Sequence, residues 1–178
     1  VTVVAAFAWK YAFDPTSGFV QGLPLVPDDY QPLNTREGSF FVIILAEVWK
    51  TTPFIALLLL AGLTTIDEVL YEAARSDGAN AVQRFFRITL PLMKPAILVA
   101  LLFRTLDAFR VFDSIFIMTG GGQDTESVSI LGYYQLISRL YLGLGSAVSV
   151  LIFVLVLLIA AVYIRGFGAS VPGRGEEK

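Results

Sequence analysis

The chain has 178 residues; 56% are hydrophobic, 16% are charged, the net charge is −2, and neither histidine nor cysteine occurs. A soluble domain runs about 45–50% apolar and about 25% charged, so this composition points to lipid as the solvent; it excludes intrinsic disorder and argues against a nucleic-acid partner held by a basic face. The missing cysteines exclude disulfide and thiolate chemistry, and the missing histidines exclude Ser-His catalysis, imidazole proton transfer and most zinc sites.

A membrane helix needs roughly 20 apolar residues to cross about 30 Å of hydrocarbon. Residues 1–13 are too few to span alone and read as the outer end of a truncated transmembrane helix. The chain opens on Val1 inside an apolar run, so it reads as a fragment whose own N-terminus is missing. Residues 14–38, with several Pro and Gly, form a loop. Residues 39–63 make a span in which Glu47 and Lys50 are the charged positions, just ahead of Pro53. A polar loop covers 64–94. A second span, 95–119, carries Arg104, Asp107, Arg110 and Asp113. Residues 120–139, opened by Gly120-Gly121-Gly122, are a loop or short helix; 140–164 are an uncharged span, and 165–178 a polar tail. The expected fold is therefore an all-α membrane protein, a polytopic helical bundle with three full spans and one truncated span.

Basic residues orient the chain. Residues 64–94 hold Arg75, Arg84, Arg87 and Lys94, and the tail holds Arg165, Arg174 and Lys178; the two other loops hold Arg36 and Arg139. This bias puts the long middle loop and the C-terminus in the cytoplasm, with 14–38 and 120–139 outside.

Within the middle loop, Thr65-Ile66-Asp67-Glu68 fits a capping box that opens a short helix. That helix runs to about Asp77 and stops at Gly78, the residue best suited to the left-handed position after a helix. Val82, Phe85, Phe86 and Ile88 recur at helical spacing in a second segment, which ends at Leu90-Pro91. In the second span, Arg104, Asp107, Arg110 and Asp113 stand three apart, so neighbours meet as opposite charges on a continuous helix. Phe109, Phe112 and Phe116 would share one face. Charged side chains in hydrocarbon cost about 2.5–3.5 kcal/mol each on insertion scales and point to function. Glu47, Lys50 and Thr51 form a similar cluster, beside carbonyls that Pro53 leaves free.

The spacing Glu72-Ala73-Ala74, three residues, Gly78, nine residues, Ile88, one residue, Leu90-Pro91 resembles the EAA motif of permease subunits of bacterial ABC importers. Tyr71-Glu72-Ala73-Ala74 with Asp77-Gly78-Ala79 resembles the carbohydrate-importing branch typified by the maltose permease. So do Thr119-Gly120-Gly121-Gly122 and Phe13-Asp14-Pro15 followed by Gly18. Gln123 and Asp67 depart from that pattern, standing where proline is usual or frequent. The run 101–110, with Ser129-Ile130-Leu131-Gly132-Tyr133, is similar to the trehalose-importing branch.

The resemblance implies that Glu72, Ala73, Ala74, Arg75, Asp77 and Gly78 form the helix that docks on an ATPase subunit. It also implies a sugar site near mid-membrane at Thr2, Glu47, Lys50, Thr51, Asp107, Ala108 and Val111; Arg110 adds a further hydrogen-bond donor there. The implied partners are a second homologous permease, an ATPase homodimer, an extracytoplasmic sugar-binding (lipo)protein and the bilayer, with no nucleic acid. No GxxxxGK[ST] phosphate loop occurs, so ATP and Mg belong to the partner and this subunit holds no cofactor. Two rival readings remain: a permease for another ligand, such as a glycerol phosphoester or oligosaccharide, and a membrane enzyme using Asp107 and Asp113 as an acid/base pair. On a continuous helix those two carboxylates stand about 9 Å apart along the axis, which disfavours a shared catalytic centre.

Overall fold

A computed structural model describes residues 2–24, 26–27 and 30–166. Arg174 and Lys178, expected in the cytoplasmic tail, lie outside the described residues. Secondary structure among the described residues is wholly helical: α1 (Thr2–Ala12), α2 (Arg36–Leu63), α3 (Glu68–Ser76), α4 (Ala81–Arg84), α5 (Leu90–Leu92), α6 (Lys94–Phe109), α7 (Asp113–Met118), α8 (Val128–Tyr133) and α9 (Leu142–Gly166). Two of these, α2 and α9, are long and apolar enough to cross a membrane, and Ala81–Leu92 with Lys94–Met118 qualify together as a pair bent by 66°.

One compact unit comprises Val1–Pro53 and Asp107–Val154. Here α1 packs along α7. Small and branched residues at helical spacing (Ala6 on α1, Val42, Ile43 and Ala46 on α2, Ile115 and Met118 on α7) fill the core with Phe13, Val20 and Ile130. Trp9 stacks on Phe13 and meets Trp49 edge-on, with centroids 6.2 and 6.1 Å apart. The second unit comprises Phe54–Leu106 and Leu155–Lys178. Within it Gly62 on α2 lies against the methyl of Ala96 on α6, too close for a Cβ at position 62. Small residues allow this approach between membrane helices.

The expected second span is not one helix. α6 ends at Phe109, and residues 110–112 turn before α7 begins at Asp113. The turn is closed by Arg110 N–H to Asp107 O and Val111 N–H to Ala108 O. Two carbonyls near the break are taken by hydroxyls of the following segment: Ser129 Oγ donates to Phe109 O at 2.9 Å and Ser127 Oγ to Val111 O at 3.0 Å. A backbone leaves its helix in an apolar setting only where its polar groups find such substitutes. The charge row is thereby cut: Arg104 and Asp107 share α6, Arg110 sits in the break, and Asp113 opens α7. The phenylalanine stripe is cut as well. Phe112 and Phe116 stack at 5.0 Å against Tyr133 of α8, while Phe109 belongs to the preceding helix.

The middle loop differs in its caps. Thr65 does not cap α3; its hydroxyl donates to Gly62 O at 2.7 Å, closing α2. Asp67 takes the N-cap and accepts from Val69 N–H at 3.0 Å. A carboxylate suits the positive end of a helix at least as well. The second segment ends one residue beyond Leu90-Pro91, just before the helix that starts at Lys94. Asn80 and Gln83 form a reciprocal capping box at the start of α4, Phe85–Thr89 widen into a π-turn, and the chain passes through Pro91 to Leu92.

Candidate functional site: coupling loop and intramembrane charge cluster

α3 and its terminus form a compact device. Asp77 N–H donates to Ala73 O, Gly78 N–H to Arg75 O and Ala79 N–H to Ala74 O, with Gly78 at φ +80°. The last two bonds are the pair of a Schellman motif and satisfy carbonyls that a bare helix end leaves open. Tyr71 OH meets Thr89 Oγ1 at 2.8 Å, tying α3 to the π-turn. Glu72, Ala73, Arg75, Asp77 and Gly78 are exposed, and Ala74 is half-buried. Ala74, Asp77, Gly78, Ala79, Arg84 and Arg87 line part of a hollow of about 410 Å³ beside this turn.

The second cluster lies in the first unit. Glu47 is 4% exposed. Its Oε1 accepts from Lys50 Nζ at 2.9 Å and from the buried Ser114 hydroxyl of α7. Thr51 Oγ1 donates to Glu47 O at 2.7 Å and Thr52 Oγ1 to Val48 O at 2.6 Å, so the hydroxyls ahead of Pro53 bond back along their own helix. The structure thus brings Glu47, Lys50 and Thr51 together and adds Ser114, which sequence reasoning missed. The available signal was weak: a hydroxyl in an apolar run must find an acceptor once buried. Thr2, at the start of α1, and Val111, in the α6–α7 break, are half-buried; Asp107, Ala108 and Arg110 are exposed at the end of α6 and in the break. Among the described residues no three acidic side chains converge to hold a metal ion.

At the end of α1, Asp14 Oδ1 accepts from the backbone and hydroxyl of both Thr16 and Ser17. These bonds, the Thr16 hydroxyl first, lower its pKa from 3.8 to about 2. Because the folded value lies below the ordinary one, the stabilisation is complete above pH 3.8 and disappears as pH falls towards 2. The Thr16 and Ser17 amides are expected to keep their protection against hydrogen exchange down to about pH 4 and to lose it near pH 2 in the wild type. Asp14→Asn should remove that acid dependence. An acid midpoint near 4 in the wild type would refute the assignment.

Residues 2–167 match the family described as binding-protein-dependent transport system inner membrane component. The chain belongs to this family. Two relatives of these inner-membrane components are similar over most of the chain. It is 54% identical over 173 residues to the trehalose transport system permease protein SugA of Mycobacterium tuberculosis, covering 97% of this chain and 56% of that protein. It is 46% identical over 172 residues to the trehalose/maltose transport system permease protein MalF of Thermococcus litoralis, covering 92% and 57%. The chain therefore spans little more than half the length of these relatives. A bacterial ABC transporter that imports the acidic polysaccharide alginate has the same fold: TM-score 0.83, 24% identity, 96% of this chain and 62% of that one.

Proposed function

We infer that this member of the inner-membrane component family is part of a permease subunit of an ATP-driven importer. It moves a sugar, a disaccharide of the trehalose kind, into the cytoplasm without changing it chemically. The observation that carries this reading is the exposed, doubly bonded end of α3: a short helix with Ala73 and Ala74 for close approach, stopped at Gly78 and braced by Tyr71 against Thr89. Such a rigid knob can transmit motion from a partner that grips it. The partner is a separate ATPase dimer carrying ATP and Mg, and the loop faces the cytoplasm, as its arginines favour. A second permease completes the pathway, and an outer sugar-binding protein delivers the ligand. The trehalose relatives support the substrate class. So does the Glu47–Lys50 pair, which cancels the charge of the one basic residue in that cluster and so favours a neutral ligand over a phosphoester. The contacting groups are Glu47, Lys50, Thr51, Asp107 and Arg110, with Ala108, Val111 and Thr2 as surface.

Gly78→Val tests the coupling role. A Cβ at this position meets nothing within 4 Å, so the cost comes from φ +80° alone, about 1–2 kcal/mol. The complex should assemble, while uptake of labelled trehalose falls by about tenfold or more, equivalent to at least 1.4 kcal/mol of lost coupling. Normal uptake in that variant would remove Gly78 from the coupling device. A wild-type importer that takes up none of a panel of labelled disaccharides would overturn the substrate class.

A further inference from the structure

A cavity of about 300 Å³ lies in the first unit, between the end of α1, the turn at Gln31–Asn34 and the end of α7. Lys10, Asp14, Gln31, Asn34, Thr119 and Gln123 form its polar wall, while Phe13 and Met118 contribute apolar surface. None of these residues belongs to the Glu47 cluster. Lys10 Nζ donates to Ile117 O at 2.7 Å and retains further N–H donors. The bonds from Thr16 and Ser17 all fall on Asp14 Oδ1, and none of them uses Oδ2. The Asn34 amide donates to Gln31 Oε1, which orients both groups. Gln123 is held at φ +51°, a left-handed backbone that a non-glycine residue seldom adopts. Such outliers gather at ligand sites. Here the unusual backbone carries an amide side chain at the wall of a polar cavity.

The ligand class follows from the chemistry. Lys10 and Asp14 offset one another, so the wall carries no net charge for an anion or a metal ion to answer. The Gln31, Asn34 and Gln123 amides mix donors with acceptors above an apolar surface, while the Thr119 hydroxyl is engaged by Ile115 O, Thr125 and the Gly121 N–H. That combination matches a ligand whose hydroxyls both donate and accept and whose C–H face is apolar. We propose that this cavity is a subsite for a neutral, polyhydroxylated molecule, separate from the Glu47–Lys50–Ser114 cluster. Binding there does not depend on the transport reading; only its place as an early station on a sugar pathway does.

The test uses the full-length protein in its assembled complex in nanodiscs. Saturation-transfer NMR probes trehalose, maltose and sucrose, with glycerol 3-phosphate as the charged comparison. At least one disaccharide should receive saturation in the wild type and glycerol 3-phosphate should not. Gln123→Gly removes the amide and eases the left-handed backbone, so it should fold, and Asn34→Ala removes the other amide. Each is expected to raise the apparent Kd about fivefold, the effect of one lost hydrogen bond, with an unchanged melting temperature. Gln123→Asn, which tolerates the same backbone and keeps an amide, should restore much of the affinity.

No transfer to any disaccharide, an unchanged Kd in both variants, or equal binding of glycerol 3-phosphate overturns the proposal. So does weaker stimulation by the sugar-loaded binding protein at unchanged free-sugar Kd, which makes the cavity a docking recess. Uptake by the same importer separates the two readings. A Kd shift without any disaccharide uptake refutes the transport reading and keeps the subsite, whereas uptake without a Kd shift refutes the subsite alone.

Discussion

Glu47→Ala is expected to destabilise the protein by about 3–5 kcal/mol, the cost of removing one partner from a buried ion pair. Glu47 sits inside α2, nine-tenths and more buried, and its Oε1 serves Lys50 and Ser114 together. Alanine would leave an ammonium at 16% side-chain exposure and a buried hydroxyl without that acceptor. It would also cut the polar tie between α2 and α7. Glu47→Gln keeps an oxygen that accepts from both and should cost distinctly less. The decisive comparison is Glu47→Leu with Lys50→Met in a Ser114→Ala background, which leaves no buried hydroxyl without its acceptor. Replacing both charges by apolar groups of similar volume is near neutral where the pair serves specificity rather than stability. Thermal unfolding in nanodiscs, with uptake measured in parallel, separates the roles. If the double variant keeps its melting temperature but loses sugar uptake, the pair works in recognition. If it keeps both, Glu47 and Lys50 leave the list of ligand-contacting residues.

The two partners of Glu47 also mark where sequence reasoning reaches and where it stops. Lys50 was legible because three residues along a helix bring two side chains together, a local rule. Ser114 stands 67 positions away and enters only through the packing of α7 on the first unit. The α6–α7 break was hidden for the same reason. Residues 95–119 are apolar apart from Arg104, Asp107, Arg110 and Asp113 and contain no glycine, and no proline after Pro95, so no helix breaker forecasts a turn at 110–112. What stabilises the turn is Ser127 and Ser129, 16 and 20 positions beyond the carbonyls they occupy. Where cause and effect lay within one turn, the reading held: Gly78 ends α3 in the left-handed conformation. The misassigned cap shows a subtler limit. Thr65 has the right chemistry for an N-cap, but its hydroxyl was already committed to Gly62 O at the end of α2. Asp67, two positions on, was the free acceptor. Propensity names the candidates for a cap; competition between adjacent helix ends chooses among them.

Gly18→Ala is expected to cost about 1–3 kcal/mol through overpacking, more than a single methyl usually does on a loop. A Cβ built at Gly18 lies 2.6 Å from Asp14 O and 2.8 Å from Asp14 N, and nearer still to Ala12 O. These obstacles are backbone atoms, so no rotamer change relieves them. Gly18 N–H also donates to Asp14 O at 2.9 Å, closing the turn in which Asp14 holds Thr16 and Ser17. Making room for the methyl therefore moves the end of α1, that turn and the Asp14 wall of the cavity together. Gly22→Ala is the matched control: a Cβ there meets nothing within 4 Å, and the change should stay within about 0.5 kcal/mol. Both variants add one methyl to a glycine of the same segment, so the difference between their melting temperatures reads the backbone clash alone. Equal melting temperatures would mean that the close packing of Gly18 against Ala12 and Asp14 contributes nothing to the stability of the first unit.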